Sequence, residues 1–587
     1  MELGIANGVA DGSPKDKLGA VGTVEGSAWM QSRGAASRPR AFRLRAVLFD
    51  FDGTLTRPGA LDFAALKREV GCPPDRLVLE WIEALPAGAQ REAALSALER
   101  FELVGAAGSA ANEGAEDLLR RLRALGLRLG VLTRNGRLAM DKALERFTLH
   151  GADGFDVLIT RDDAVAPKPS PDGVSRAAAA MGVAAEETLV VGDYLLDMQA
   201  GRAAGAVTVY LTNGAGSAAG DGPGCPDGAA CDFVVHSLAE LDEVVKLGLP
   251  LPRGKLPNEL LSRHLKSLAG GDPAVLLPAA VGEDVSALDM TGVEVLVAHG
   301  DPITLAGSDL GRYAVVVNAN DIAASGGEPR WLLTTVLLPT GTTPSQALAL
   351  LDEVSATAAA ENVVLVGGHT EVSDVVSRPV VSATMLGVVR RADLRDKREA
   401  LPGDKVILTK ELAAEGTALL ARDLGERLRA LGMNDSELDD CRSLLDRLSI
   451  VPEARIAARF AGVRALHDVT EGGLATALRE LVVACHHGIT VHLERIPVFP
   501  ETTRICELLG ADPLGLIASG SLLICCRPSE AEAVAMALHD ALIEAVEIGE
   551  VGEPGAGVTA LERGRPAPWP EFAVDEAARV LGQSEVE

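Results

Sequence analysis

Between residues 44 and 213 the chain sets five apolar runs, "LRAVLFDF", "LRLGVLTRN", "FDVLITRDD", "TLVVGDYLLD" and "AVTVYLTN", with helix-like stretches such as "ANEGAEDLLRRLRALG" and "SPDGVSRAAAAMG" between them. Strands that are apolar on both faces do not suit a sheet with one wet side, so the alternation predicts a parallel sheet covered by helices on both sides. Ligands of such sheets gather at the carboxyl ends of the strands. The first run ends in Asp50 and Asp52, followed at once by Gly53 and Thr54.

A chain of 587 residues is too long for one hydrophobic core, and at ~100 to 200 residues per domain about three or four folding units are expected. Residues 41–246 are expected to form the first, with "FVVHSLAELDEVV" as its last strand and helix, and proline-punctuated residues 247–260 as a linker. Beyond it a second α/β region divides near the charged "DLRDKREALPGDK" into residues 261–392 and 393–575, with residues 576–587 as a tail. Residues 1–40 are rich in Gly, Ala and Ser and lack an apolar signal core, which predicts a disordered leader.

Aromatic residues make up only 3% of the chain, so the cores are expected to be aliphatic. A net charge of -28 argues against a nucleic-acid partner, which would be held through Lys and Arg. Anionic substrates would instead need metal ions or backbone donors. The eight cysteines show no metal-ligand spacing, consistent with reduced thiols in a cytoplasmic protein. No apolar stretch is long enough for a membrane span.

An aspartate at the tip of a buried strand can attack phosphorus and form an acyl-phosphate that water then cleaves. A second aspartate two residues on points the same way and can protonate the leaving oxygen, then deprotonate water. Asp50 and Asp52 are thus candidates for those two tasks. Counter-charge follows at later strand ends: Thr133 in "VLTRN", Lys168 in "APKPSP", and Asp193 and Asp197 in "VVGDYLLD". A hydroxyl and an ammonium would hold phosphoryl oxygens, and Asp193 with Asp50 would hold Mg2+. A lone Asp-x-Asp is most often a turn or cap; it is the ordered set that points to a site.

The four segments "DFDGTLT", "LTRN", "KPSP" and "GDYLLD" resemble, in order and spacing, the motifs of the haloacid dehalogenase (HAD) superfamily of phosphatases over about 200 residues. The resemblance implies a Rossmann-like sheet, Asp50 and Asp52 as the catalytic pair, Thr133 and Lys168 as phosphate binders, and Asp50, Asp52, Asp193 and Asp197 around Mg2+. Residues 57–115, which read as three amphipathic helices, would form a small helical cap; Trp81, Ile82 and Leu85 are expected in the core of that cap.

The second region carries acids in "GEDVSALDM" (Asp284), "AHGDPIT" (Asp301), "VVNANDIAASGGEP" (Asp321) and "ALHDVTEGGLATAL" (Asp468), each read as closing or following a β-like run. Carboxylates on metals and backbone N–H groups on oxygens suit a Mg2+-nucleotide. Neither a P-loop nor a Gly-x-Gly-x-x-Gly turn is present. The segments "NANDIAASGGEPRWLLTTVLLP" and "HDVTEGGLATALREL" are similar to the aminoimidazole ribonucleotide (AIR) synthetase-related superfamily, and the whole region looks closest to its hydrogenase-maturation branch.

That resemblance implies a two-subdomain α/β fold, a homodimer and an ATP site formed by Asp284, Asp301, Asp321, Gly367, Gly368, Asp468, Gly472 and Gly473. In "GGHTE", His369 stands where an acid is usual, and Glu371 is expected to restore a carboxylate. The hydrogenase-maturation enzyme dehydrates a carbamoyl group on its own C-terminal cysteine, whereas this sequence ends "GQSEVE" and its last cysteine is Cys526. The expectation is therefore a bifunctional enzyme: a Mg2+-dependent phosphatase for a small phosphorylated metabolite, joined to an ATP-using domain of unassigned acceptor. The alternatives are a phosphatase on a nucleotide-binding or dimerising scaffold, and a hydrogenase-maturation protein.

Overall fold

The computed structural model describes residues 41–59, 62–147, 154–214, 231–268, 271–280, 286–304, 306–307 and 309–584. The chain forms two compact units, one ending at Leu247 and the other beginning at Gly248.

In the first unit the apolar runs become strands β1 (Ala46–Phe49), β2 (Arg128–Leu132), β3 (Val157–Ile159), β4 (Thr188–Gly192), β5 (Val207–Leu211) and β6 (Phe233–Val235). They form one sheet in the order β3-β2-β1-β4-β5-β6, every pair parallel. Phe49 stands opposite both Val131 and Val191, so β1, β2 and β4 end level. All four residues of β1 are buried, which is why its run carries no polar alternation.

Helices α1 (Phe63–Val70), α2 (Val78–Glu83) and α3 (Ala89–Gly108) make the expected cap, followed by α4 (Ala115–Ala124), α5 (Arg137–Leu144), α6 (Asp172–Ala180), α7 (Leu195–Ala203) and α8 (Leu241–Leu247). The cap has its own small core of Leu66, Cys72, Val78, Leu79, Ile82, Ala94 and Leu98, with Trp81 and Leu85 packed against it. Capping fixes the start of α1, where the Asp62 carboxylate accepts from the Ala65 N–H (2.9 Å).

The second unit has two main sheets. One runs Val295–His299, Val380–Val389, Glu328–Pro339, Val364–Ser373 and Gly254–Lys255; the long middle strand Glu328–Pro339 pairs parallel with Val364–Ser373, and helix Pro344–Ala360 makes the crossover between them. The other has seven strands, with Lys405–Thr409 between Ser521–Cys526 and Ala545–Pro554.

Two expected boundaries differ. Gly254–Lys255 pairs with Glu371 and Val372, and Asn258–Ser267 is helical, so the second half of the expected linker is folded. Glu576–Ser584 is a helix rather than a tail, its first residue accepting from the Asp512 N–H (2.9 Å). Among the described residues no helix is long and apolar enough to cross a membrane.

Candidate functional sites

The level ends of β1, β2 and β4 bring Asp50, Thr133 and Asp193 to one rim of the first sheet. Gly53 turns the chain away from β1 at φ 76°, and a Cβ there would lie 2.0 Å from Asp193 Oδ2. At Gly192 a Cβ would lie 2.4 Å from the Asp197 carboxyl. Both glycines are the space in which two of the acids sit.

Lys168 Nζ donates to Asp50 and, at 2.5 Å, to Asp197 Oδ1. Asp52 Oδ2 accepts from Asn135 Nδ2 at 2.5 Å. Thr133 is buried and lines the same cavity of about 420 Å³, together with Arg134, Asn135 and the four acids. The sequence-derived residues of this site are thus brought together, with one difference. Asp50, Asp193 and Asp197 offer carboxylate oxygens within 4.8 Å of one another, while Asp52 stands outside that cluster and faces Asn135.

Four carboxylates share one ammonium, and burial together with that surplus charge shifts the protonation of Asp52, Asp193 and Asp197. Burial, then the charge of Asp50, pushes Asp52 up to about 6 against the Asn135 hydrogen bond. Burial, then Asp50 and Asp197, pushes Asp193 up to about 7. Burial works against charge on Lys168, but Asp197 and Asp50 outweigh it and hold the ammonium protonated. An all-oxygen donor set with excess negative charge fits a hard divalent cation such as Mg2+.

Other residues of this site lie outside the four segments. Asn213 Nδ2 donates to the Gly53 carbonyl (2.6 Å) and Asn112 Nδ2 to the Thr54 carbonyl (2.9 Å) and to Asn213 Oδ1 (2.9 Å). These two asparagines fix the turn that carries Asp52. Thr54 is buried, and its hydroxyl has no hydrogen-bond partner among the described residues. Asn135 sits two residues after Thr133 on the same strand-end loop, a signal that was available. Asn112 and Asn213 meet across 101 residues, for which no local pattern exists.

In the second unit, Asp301 follows strand Val295–His299, but Asp321 does not close a strand: it lies within helix Leu310–Ala324. Val315 and Val316 favour strands weakly; burial on nearly every side of this helix overrides that preference. His299 Nε2 lies 3.4 Å from Asp301 Oδ2 and 3.2 Å from Asp321 Oδ2, and the three form a cluster with ligand atoms within 4.8 Å. Burial, then Asp468, pushes Asp321 up to about 7, with His299 opposing. One imidazole and two carboxylates with surplus negative charge also suit a divalent ion.

Asp468 lies at the end of strand Val463–Val469. Burial would raise it, but the adjacent His467 holds it below the ordinary carboxylate value. Gly472 and Gly473 both take positive φ, where the helix Gly473–Cys485 begins, and the Gly472 N–H donates to Asp575 Oδ2 (2.7 Å).

Gly367 and Gly368 line a different cavity of about 520 Å³ with His369, Thr334, Thr335 and Thr384. A Cβ on Gly368 would lie 2.3 Å from the Thr334 carbonyl, so the close approach of two strands already requires glycine there. The Glu371 carboxylate lies 3.2 Å from His369 Nε2. Asp284 lies outside the described residues. His299 was missed in the sequence, where a histidine after a β-like run carries no distinguishing pattern.

A family model for haloacid dehalogenase-like hydrolases matches residues 44–205. Models for the N-terminal and C-terminal domains of AIR synthase related proteins match residues 270–389 and 402–561. The carbamoyl dehydratase HypE of Cupriavidus necator is 31% identical over 258 residues, 43% of this chain and 71% of that protein. Through its second unit, the chain belongs to the HypE family of AIR synthase-related proteins. It joins that HypE-like region to a HAD-like hydrolase domain.

HypE of Escherichia coli K12 is 30% identical over 257 residues, 43% of this chain and 73% of that protein. Among solved structures, Escherichia coli HypE has a TM-score of 0.48 at 24% identity, covering 55% of this chain and 100% of its own. The thiamine-monophosphate kinase of Stenotrophomonas maltophilia has a TM-score of 0.42 at 22% identity, covering 54% and 99%.

Proposed function

We propose that the first unit hydrolyses a phosphomonoester through an aspartyl-phosphate at Asp50, and that the second binds Mg2+-ATP to activate a further substrate. The observation that carries the first half is Lys168 bridging Asp50 and Asp197 while Asp52 is held separately by Asn135. The nucleophile and the acid/base thus have different partners. Asp52, pushed up to about 6, can arrive protonated at the leaving oxygen while Asp50 attacks phosphorus as a carboxylate.

In this reading Lys168 and Thr133 hold the phosphoryl oxygens and the cap keeps bulk water from the leaving group. As the P–O bond to the alcohol breaks, Asp52 gives up its proton to that oxygen. It then takes a proton from the water that attacks the acyl-phosphate and regenerates Asp50. A Mg2+ held by Asp50, Asp193 and Asp197 would offset charge on the phosphoryl group. Loss of p-nitrophenyl phosphate hydrolysis in Asp50→Asn tests the reading; hydrolysis retained in that variant would contradict it.

In the second unit, His299, Asp301 and Asp321 would hold the metal of Mg2+-ATP, with Asp468 beside them. The proposal includes a homodimer through this unit, a small phosphorylated metabolite at the first site and a cytoplasmic setting. A second reading, carbamoyl dehydration in hydrogenase maturation, is favoured by the names of the relatives. Cys441, Cys485, Cys506, Cys525 and Cys526 are all buried, so in that reading the carbamoyl-bearing thiol would be none of these five. ATP consumption that starts only on adding a carbamoylated thiol would favour this second reading; consumption indifferent to it would count against it.

A further inference from the structure

The cavity beside Asp50 has two unlike walls. One carries Asp50, Asp52, Thr133, Lys168, Asp193 and Asp197; the other is formed by Phe63, Leu77, Val78, Leu79 and Leu98 of the cap, with Tyr194 from the start of α7. Phe63 is 56% exposed and Tyr194 54%, so two aromatic rings of the same cavity face water.

Two arginines also line the cavity, and both are taken. Arg134 Nη2 donates to Glu80 Oε1 of α2 (2.6 Å). Arg161 forms a two-pronged pair with Glu102 of α3, one prong at 3.0 Å, and Glu102 also accepts the Gly136 N–H (3.0 Å). Glu102 is buried. A leaving group with its own anion could take Arg161 only by displacing this carboxylate and leaving it without its ion pair inside the protein. Among the described residues lining the cavity, Lys67 is the one cation outside an ion pair; it donates to the Pro74 carbonyl (2.6 Å).

We propose that this site takes the monophosphate ester of an uncharged, apolar alcohol and rejects leaving groups bearing a second phosphate or a carboxylate. The inference rests on the phosphatase reading of Asp50. Apolar groups of the ester would cover Phe63, Leu77 and Tyr194, while the ion-paired arginines offer no free charge to an anionic tail.

The test is kcat/KM of the full-length protein with Mg2+ on hexyl phosphate, 3-phosphoglycerate and fructose 1,6-bisphosphate. The expected result is at least about tenfold preference for hexyl phosphate over either anionic ester. In a Phe63→Ser, Leu77→Ser double variant that ratio should fall, mainly through KM. Both side chains are solvent-facing, and Phe63→Ser alone repeats the test if the double variant does not fold. Preference for an anionic ester, above all one lost in Lys67→Met, would overturn the proposal, as would an unchanged ratio in folded variants. If no ester is hydrolysed in an Asp50-dependent way, the phosphatase reading falls and this inference with it. Asp50-dependent hydrolysis favouring an anionic ester would overturn only the inference.

Discussion

Gly53 shows how one residue joins backbone geometry to chemistry. Its φ of 76° and the 2.0 Å gap to Asp193 Oδ2 leave no place for a side chain. Gly53→Ala should therefore cost about 1–3 kcal/mol in denaturant unfolding. Because Asp193 must move, it should also raise the Mg2+ concentration for half-maximal hydrolysis by about 10–100-fold. Asp52→Asn should lower kcat for p-nitrophenyl phosphate by about 10²–10⁴-fold, with the overall fold, read by circular dichroism, unchanged. The residues that anchor this turn were less legible. Asp50 and Asp52 announce themselves by following an apolar run, but Asn112 and Asn213 act through the carbonyls of Thr54 and Gly53, contacts that only the folded chain creates.

At the scale of elements, the parallel sheet concentrates acids at one rim, and that has a pH consequence. Asp52 and Asp197 are raised to about 6 and Asp193 to about 7, so between pH 4 and 7 these acids hold more protons in the folded chain than in the unfolded one. Stability from these groups is full at low pH and lost as pH rises through 6 to 7. Asp156, held below its ordinary value, acts in the opposite direction but is already ionised in this window. In EDTA the unfolding midpoint of the first unit should be higher at pH 5 than at pH 7.5, and saturating Mg2+ should remove the difference, since the metal binds the ionised acids. A midpoint rising with pH in EDTA would contradict this.

The strands of the first unit could be read in advance because buried parallel strands leave apolar runs that nothing else in the segment imitates. Helix Leu310–Ala324 could not. Its valines read as a strand, and its helical form depends on burial against neighbours distant in sequence, among them the Leu448 carbonyl and Ile450 N–H that bond Asn320 (2.8 and 2.9 Å).

For the whole molecule, two compact units with separate carboxylate clusters predict two separable activities. Cleavage by limited proteolysis near Leu247 should release a first unit that still hydrolyses p-nitrophenyl phosphate. Asp321→Asn should weaken Mg2+-ATP binding by tenfold or more while leaving hydrolysis at the first site intact, and Asp50→Asn should do the reverse. The most direct measurement of this claim runs both variants side by side on the full-length protein, following p-nitrophenyl phosphate hydrolysis and calorimetric Mg2+-ATP binding. The account predicts that each variant loses one signal and keeps the other. Hydrolysis surviving in Asp50→Asn, or Mg2+-ATP affinity undiminished in Asp321→Asn, would contradict it.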